Sequence, residues 1–406
     1  MLKLVLHSSM VLAAVVATAG CGMTQTSPSS QSASATPKVT SAPLYKLATT
    51  STSPLGASKP PLLQVKMFTP QQGWAVSRDG QILTTANGGA TWHNASNRPL
   101  TQALQHAVSR SRTLYSLADF DIATAFVSQK IAWITIGNPT KDSVQIWRTI
   151  DGGHRWTASS VVKAVAGDLG YLYLGAINGK NAWVMCDTQG LAGHTHATLW
   201  ASDQRSPGWT RMWNGNANGT TGGVLFNSSQ DGVYAGYSMA GNKSPIRYTV
   251  DGGQHWKVGQ MVFPHGLFFS TGYNPFMLSS HHELLPIALK SATENPRHPA
   301  LWLYQSSNQG AQWRPFVKLP AIPIPAEVTG ETSQSAIWVT EVQQSGQTAV
   351  YTTPLRPKGI RWRRVPVPAG KLLIFQSIGD MMFCIVQTHN TTILYRKTND
   401  TPWAPV

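Results

Sequence analysis

Two histidine clusters, a scatter of carboxylates and three cysteines are the side chains of this 406-residue chain that could do chemistry. In His194-Thr195-His196 the imidazoles stand two apart, and alternate residues of a strand face the same way, so the pair could present two ligands to a metal. His281-His282-Glu283 is the second cluster. Neither has a third ligand at a recognisable spacing, so both read as loop histidines, and no metal or other cofactor is expected. Two carboxylates could cleave a glycosidic bond as acid and base or nucleophile. The candidates are Asp119, Asp121, Asp168, Asp187, Glu283, Glu294, Glu327 and Glu341, and no spacing singles out a pair. Gly-rich phosphate loops, Gly-x-Ser-x-Gly elbows and Cys-x-x-Cys pairs do not occur. Cys186 and Cys384 lie in apolar, strand-like runs and read as two separate buried thiols, with a disulfide between them outside the cell as the alternative.

Cys21 has a different setting. Lys3 precedes an apolar run from Met10 to Ala17 that is too short to span a bilayer, which is the pattern of an export signal over residues 1–20. The run ends in Thr18-Ala19-Gly20-Cys21, which resembles the bacterial lipobox, with Thr18 where leucine is usual. The resemblance implies a diacylglyceryl thioether on Cys21 and anchorage to the outer face of the bacterial cytoplasmic membrane, or secretion if the box is not used. Residues 21–60 are dominated by Ser, Thr, Pro, Ala and Gln and cannot bury enough apolar surface to offset the entropy of ordering, so a flexible stalk is expected.

The formal charge is +15 and the pI about 9.9, which favours anionic headgroups or acidic envelope polymers as neighbours. The basic residues are scattered and carry no helix-turn-helix, zinc-finger or RNP pattern, so nucleic acid is disfavoured.

The elements that position these groups announce themselves as a repeat. Thr85-Ala86-Asn87-Gly88-Gly89-Ala90-Thr91-Trp92 matches Thr149 to Trp156 through Asp151 and Gly153, and Thr249 to Trp256 through Asp251 and Gly253. Ser306 to Trp313, through Asn308 and Gly310, is a fourth copy, and weaker copies end at Trp209, Trp362 and Trp403. A second aromatic recurs earlier in each unit, as in Gly73-Trp74, Ala132-Trp133, Ala182-Trp183 and Ile337-Trp338. A third precedes the turn at Trp147, Trp200, Tyr248, Trp302, Tyr351 and Tyr395, leaving Trp213 as the tryptophan outside the pattern.

Units of this length, alternating and punctuated by Gly, Asn and Pro, suit four short strands each. The expected fold is therefore all-β: a single β-propeller of seven four-stranded blades over residues 61–406. Leu100, Leu104 and Val108 have helical spacing and predict an inserted surface helix. With three residues after Trp403, a segment near Leu44 to Leu47 is expected to complete the last sheet.

The motif Ser/Thr-x-Asp/Asn-x-Gly-x-Thr-Trp resembles the Asp-box, or BNR repeat, of sialidase-like and sortilin-like propellers. The Thr before the Trp is kept only as Thr91. In that superfamily the box sits on peripheral hairpins, which implies a structural role for Thr85, Asn87, Gly89, Trp92 and their counterparts. The Asn/Asp-Gly-Gly-x-x-Trp form is most similar to propellers related to the photosystem II stability and assembly factor, which are binding proteins rather than enzymes. A sialidase would need an Arg-Ile-Pro motif, and Ser244-Pro245-Ile246-Arg247 is only a scrambled echo inside a strand. The expected role is non-catalytic binding or assembly through a propeller face, with an unknown protein or an anionic envelope polymer as partner. The alternative is a carbohydrate-active hydrolase. Partner contacts are expected from the inserts around 98–120 and 264–300, although Phe268, Phe269 and Tyr273 read better as an inner strand.

Overall fold

The computed structural model describes Tyr45–Lys46 and residues 60–406, except 110–121, 139–142, 160–161, 164–168, 189–195, 203–207, 217–220, 237–245, 280–281, 292–299, 321–324, 333–335, 344–347, 356–360 and 389–390. The export signal, Cys21, nearly all of the stalk, Asp119, Asp121, Asp168, His194, His281 and Glu294 lie outside the described residues. So do the side chains of Asp187 and Glu327.

Seven antiparallel sheets follow one another, each built on four strands in chain order from the innermost outwards. The inner strands are Leu62–Met67, Ile122–Phe126, Leu169–Ala176, Thr221–Phe226, Leu267–Gly272, Pro325–Thr332 and Lys371–Ile378. This is a seven-bladed β-propeller. The Phe268 and Phe269 segment is thus the inner strand of blade 5, and His282–Ser291 is its second strand, so most of the expected insert at 264–300 is blade rather than recognition loop.

Each blade is buried on both faces, and the second strands show why the sequence reads as it does. Neighbouring side chains on a strand point to opposite faces. Trp74 and Val76 therefore enter the apolar cluster shared with blade 2, while Ala75 enters the cluster shared with blade 7. Ile134 faces back to blade 1 and Trp133 forward to blade 3. The same alternation yields seven apolar clusters, one at each seam of the ring.

The helix predicted after the first unit is present at Arg98–Ser109, packing Leu100, Leu104, Ala107 and Val108 inward. Asn97 caps it, its Oδ1 accepting from Leu100 N at 3.0 Å. Among the described residues no helix is long and apolar enough to cross a membrane.

The ring closes differently from the sequence-based expectation. Tyr45–Lys46 pairs with Thr157–Ala158, the outer strand of blade 2, and not with the last blade. Blade 7 supplies its own outer strand from Ala404–Pro405, against Tyr395 and Arg396. Closure rests instead on packing between blades 7 and 1, where Phe383, Ile385 and Leu394 meet Leu62, Val65 and Met67. Two residues beyond Trp403 are enough for a short outer strand, so no donated strand is needed.

Candidate functional site

In a four-stranded meander the turn after the first strand and the turn after the third lie at the same end. Hydrogen bonds tie them together: Gly88 N donates to Gln71 O, Gly152 N to Lys130 O and Gly252 N to Gln230 O. One face of the propeller therefore carries the repeated Gly-rich turns.

These turns are built alike. The hydroxyls of Thr85, Thr149, Thr249 and Ser306 accept from the N–H of Gly89, Gly153, Gly253 and Gly310 at 2.9 to 3.0 Å. The side-chain oxygens of Asn87, Asp151, Asp251 and Asn308 accept the N–H four residues on, again at 2.9 to 3.0 Å. Burial would raise the Asp251 carboxyl, but hydrogen bonds from His255 and Thr249 hold it down at about 2. In these turns the Asp and Asn oxygens are engaged locally, as the spacing of the motif requires. The closing Trp156 and Trp313 are fully buried, and Trp92 nearly so.

The candidate binding site lies on the same face, where the central channel opens. A cavity of about 590 Å³ is walled by the ends of the inner strands of blades 1 to 4 and by Phe276–Ser279 of blade 5. Leu174, Val224, Phe226 and Met277 give it apolar surface; Gln64, Lys66, Thr124, Asn227 and Ser279 give it polar groups. Thr124 Oγ1 donates to Gln64 Oε1 at 2.5 Å across blades 1 and 2. Asn227 Nδ2 donates to Glu283 Oε1 at 2.6 Å across blades 4 and 5.

Glu331, near the end of the blade 6 inner strand, accepts a hydrogen bond from Ser377 N of blade 7. Burial lifts its carboxyl to about 7 against the opposing pull of the Lys66 ammonium and the Ser377 N–H. Among the carboxylates considered from sequence, Glu283 and Glu341 are described and both are almost wholly buried. Glu283 is raised by burial, partly offset by hydrogen bonds that include Asn227. Glu341 lies on the same strand face as Ile337 and Val339, towards blade 5, and is pushed up to about 8 by burial with neither oxygen hydrogen-bonded. Sequence reasoning passed over Glu331, which sits in no motif; its signal was its place one residue before the end of the strand Pro325–Thr332 that precedes Ile337-Trp338.

His196 is exposed at the start of a third strand, and His282 Nδ1 shares a hydrogen bond with Ser279 Oγ at 3.0 Å. Among the described residues no group of three or more His, Cys, Asp or Glu could hold a metal. Cys186 and Cys384 are buried and form no disulfide. Arg247 belongs to the third strand of blade 4, paired with Tyr234 and Val258.

No protein-family profile matches the chain. No curated protein matches it either. Solved structures do. An oligogalacturonate lyase in complex with manganese superposes with a TM-score of 0.53 at 10% identity, over 87% of this chain and 96% of the other. YCF48 bound to D1 peptide aligns over 88% and 94% at 14% identity, with a TM-score of 0.47. YCF48 from Cyanidioschyzon merolae aligns over 86% and 97% at 13% identity, also with a TM-score of 0.47. At these identities the likeness concerns the propeller fold, which hosts binding proteins and enzymes alike.

Proposed function

We propose that this chain is an exported, Cys21-anchored lipoprotein whose Asp-box propeller acts as a non-catalytic binding or assembly module, holding a protein partner or an anionic envelope polymer at the channel mouth. The observation that supports the reading is the composition of that mouth. Leu174, Val224, Phe226 and Met277 provide apolar contact, and Gln64, Thr124, Asn227 and Ser279 provide hydrogen-bonding groups that exchange no protons near neutrality. Lys66, exposed in the channel, adds a positive charge for an acidic segment.

The test is a pull-down from a cell-envelope extract with the full chain, washed at low and then high salt. A discrete protein retained at high salt supports a packed interface. Anionic polymer that leaves with salt makes charge the determinant, and nothing retained at either salt rejects the reading.

A second reading, a carbohydrate-active hydrolase, is favoured by one observation: Glu331, at about 7, is in the range of a general acid working near neutrality. Glu331→Gln separates the two, since a hydrolase loses turnover while partner binding survives.

A further inference from the structure

At two seams a pair of tryptophans donates across the gap between blades. Between blades 1 and 2, Trp74 Nε1 donates to Ser128 O at 2.9 Å and Trp156 Nε1 to Ala95 O at 2.6 Å. Between blades 2 and 3, Trp133 Nε1 donates to Asn178 O at 2.9 Å and Trp209 Nε1 to Ser159 Oγ at 3.0 Å. At the seam between blades 3 and 4 the corresponding donors, Trp183 Nε1 and Trp256 Nε1, are buried with no acceptor. Buried N–H groups are rarely left so. The third-strand Trp147, Trp200 and Trp302 also carry unanswered N–H groups, but none of them lines the groove described next.

The sequence explains the break. The cross-strand partners of Trp74, Trp133 and Trp183 are Lys66, Ala125 and Gly175. A Cβ on Gly175 would collide with the Trp183 indole, so this ring lies against its own blade's inner strand. On the other side of the seam, Ala95 and Ser159 each stand three residues after a closing tryptophan, and the residue so placed after Trp209 is Met212. There the outer strand slips register: Leu199 pairs with Trp213 and Trp200 with Arg211, leaving Met212 out of the ladder. Trp213, the tryptophan outside the repeat, fills the rest of the seam 6.3 Å from Trp256.

A groove of about 430 Å³ opens at this seam, with Trp183, Phe226 and Met212 among its apolar walls and Ser202, Ser229 and Gln254 among its polar groups. Among the described residues its one charged lining side chain is Asp251. What the seam lacks, by comparison with those between blades 1 and 2 and between blades 2 and 3, is a carbonyl oxygen facing Trp183 Nε1.

We propose that this groove binds a neutral N-acetylated sugar. The acetamido oxygen accepts from Trp183 Nε1, in the place that Ser128 O and Asn178 O hold at the other seams. The acetamido methyl packs on Met212 and Phe226, and the hydroxyls bond the Ser and Gln rim. Met212, unbranched and out of the strand ladder, is the side chain that shifts to admit it. The proposal is independent of the reading of the channel mouth, although Trp183 and Phe226 are walls of both cavities.

The experiment titrates the full chain, labelled with ¹⁵N at the tryptophan indoles, with N,N′-diacetylchitobiose, cellobiose or N-acetylglycine methylamide. Trp183→Phe identifies the Trp183 resonance, and Ser229→Phe, at an exposed turn position, blocks the rim without touching the core. Diacetylchitobiose is expected to move the Trp183 indole resonance saturably. Cellobiose and the Ser229→Phe variant should each bind about ten-fold more weakly, the loss of one hydrogen bond to a buried donor or of rim access. An unmoved Trp183 resonance at millimolar sugar overturns the proposal, as does an equal response to cellobiose. A response to the methylamide in place of the sugar makes the groove a peptide site and overturns it too.

Discussion

Gln376 of blade 7 grips the main chain of Met67 in blade 1 with both ends of its amide, Nε2 donating to Met67 O and Oε1 accepting from Met67 N, each at 2.8 Å. The two residues are 309 positions apart, so this pair fastens the first blade to the last. Both are buried. Gln376→Leu keeps the volume but strands two main-chain groups, and is expected to lower unfolding stability in urea by about 2–4 kcal/mol. Removing residues 43–50 takes away the short pairing of Tyr45–Lys46 with blade 2 and should cost less than half as much. The reverse order would return ring closure to the N-terminal segment.

Glu331 makes stability fall as pH rises. Its carboxyl titrates at about 7 in the folded chain against 4.5 when free, so between those values the folded state holds the extra proton and unfolding gains from its release. The contribution is full below about pH 4.5 and gone above 7, worth at most about 3 kcal/mol. Glu331→Gln should flatten this part of the profile and melt above the parent chain at pH 8. A parent profile as flat as the variant's between pH 5 and 8 would mean that the carboxyl is not held protonated.

The repeat was legible because one set of residues does one mechanical job several times over. A hydroxyl at Thr149 or Thr249 and an oxygen at Asp151 or Asp251 satisfy the same N–H groups in each turn, so spacing alone revealed them. Blade number followed from the recurrence of that turn, and the helix at Arg98–Ser109 from the spacing of Leu100, Leu104 and Val108. Ring closure was not legible, because Gln376 lies in no motif and its partner atoms are main chain. The blade 6 carboxylate and the open seam were hidden for a related reason. Glu331 acquires its character from Ser377 and Lys66 of other blades, and Trp183 differs from Trp74 only through what stands opposite it, Gly175.

The blade 5 turn carries a strain that its sisters avoid. Gln309 has φ 59°, where the equivalent Gly88, Gly152 and Gly252 have 72°, 77° and 74°. A side chain in the left-handed region costs about 1–2 kcal/mol, partly offset by the greater freedom glycine loses on folding. Gln309→Gly is therefore expected to stabilise the chain by about 0.5–1 kcal/mol. Asp151→Ala, which removes the acceptor of Arg155 N and Thr149 Oγ1, should destabilise by about 1–2 kcal/mol. Paired urea titrations check both signs. If Asp151→Ala abolished partner capture at full stability, its carboxylate would have a role beyond the turn.

The cysteines allow one assay to read both fold and processing. Cys186 faces the seam between blades 2 and 3, and Cys384 the seam between blades 6 and 7, so the two sulfurs belong to separate cores. Burial also pushes the Cys384 thiol far up, which leaves no reactive thiolate near neutrality. Ellman's reagent should find neither in the native protein. In guanidinium it should find two if Cys21 carries a thioether and three if Cys21 is free. No thiol where Cys21 carries a thioether, or one where Cys21 is free, would mean that the two propeller cysteines are joined, which the separation of their seams forbids without unfolding. Cys21→Ser should leave the denatured count at two while abolishing palmitate labelling of the chain in cells, and labelling that survived the substitution would remove Cys21 as the anchor.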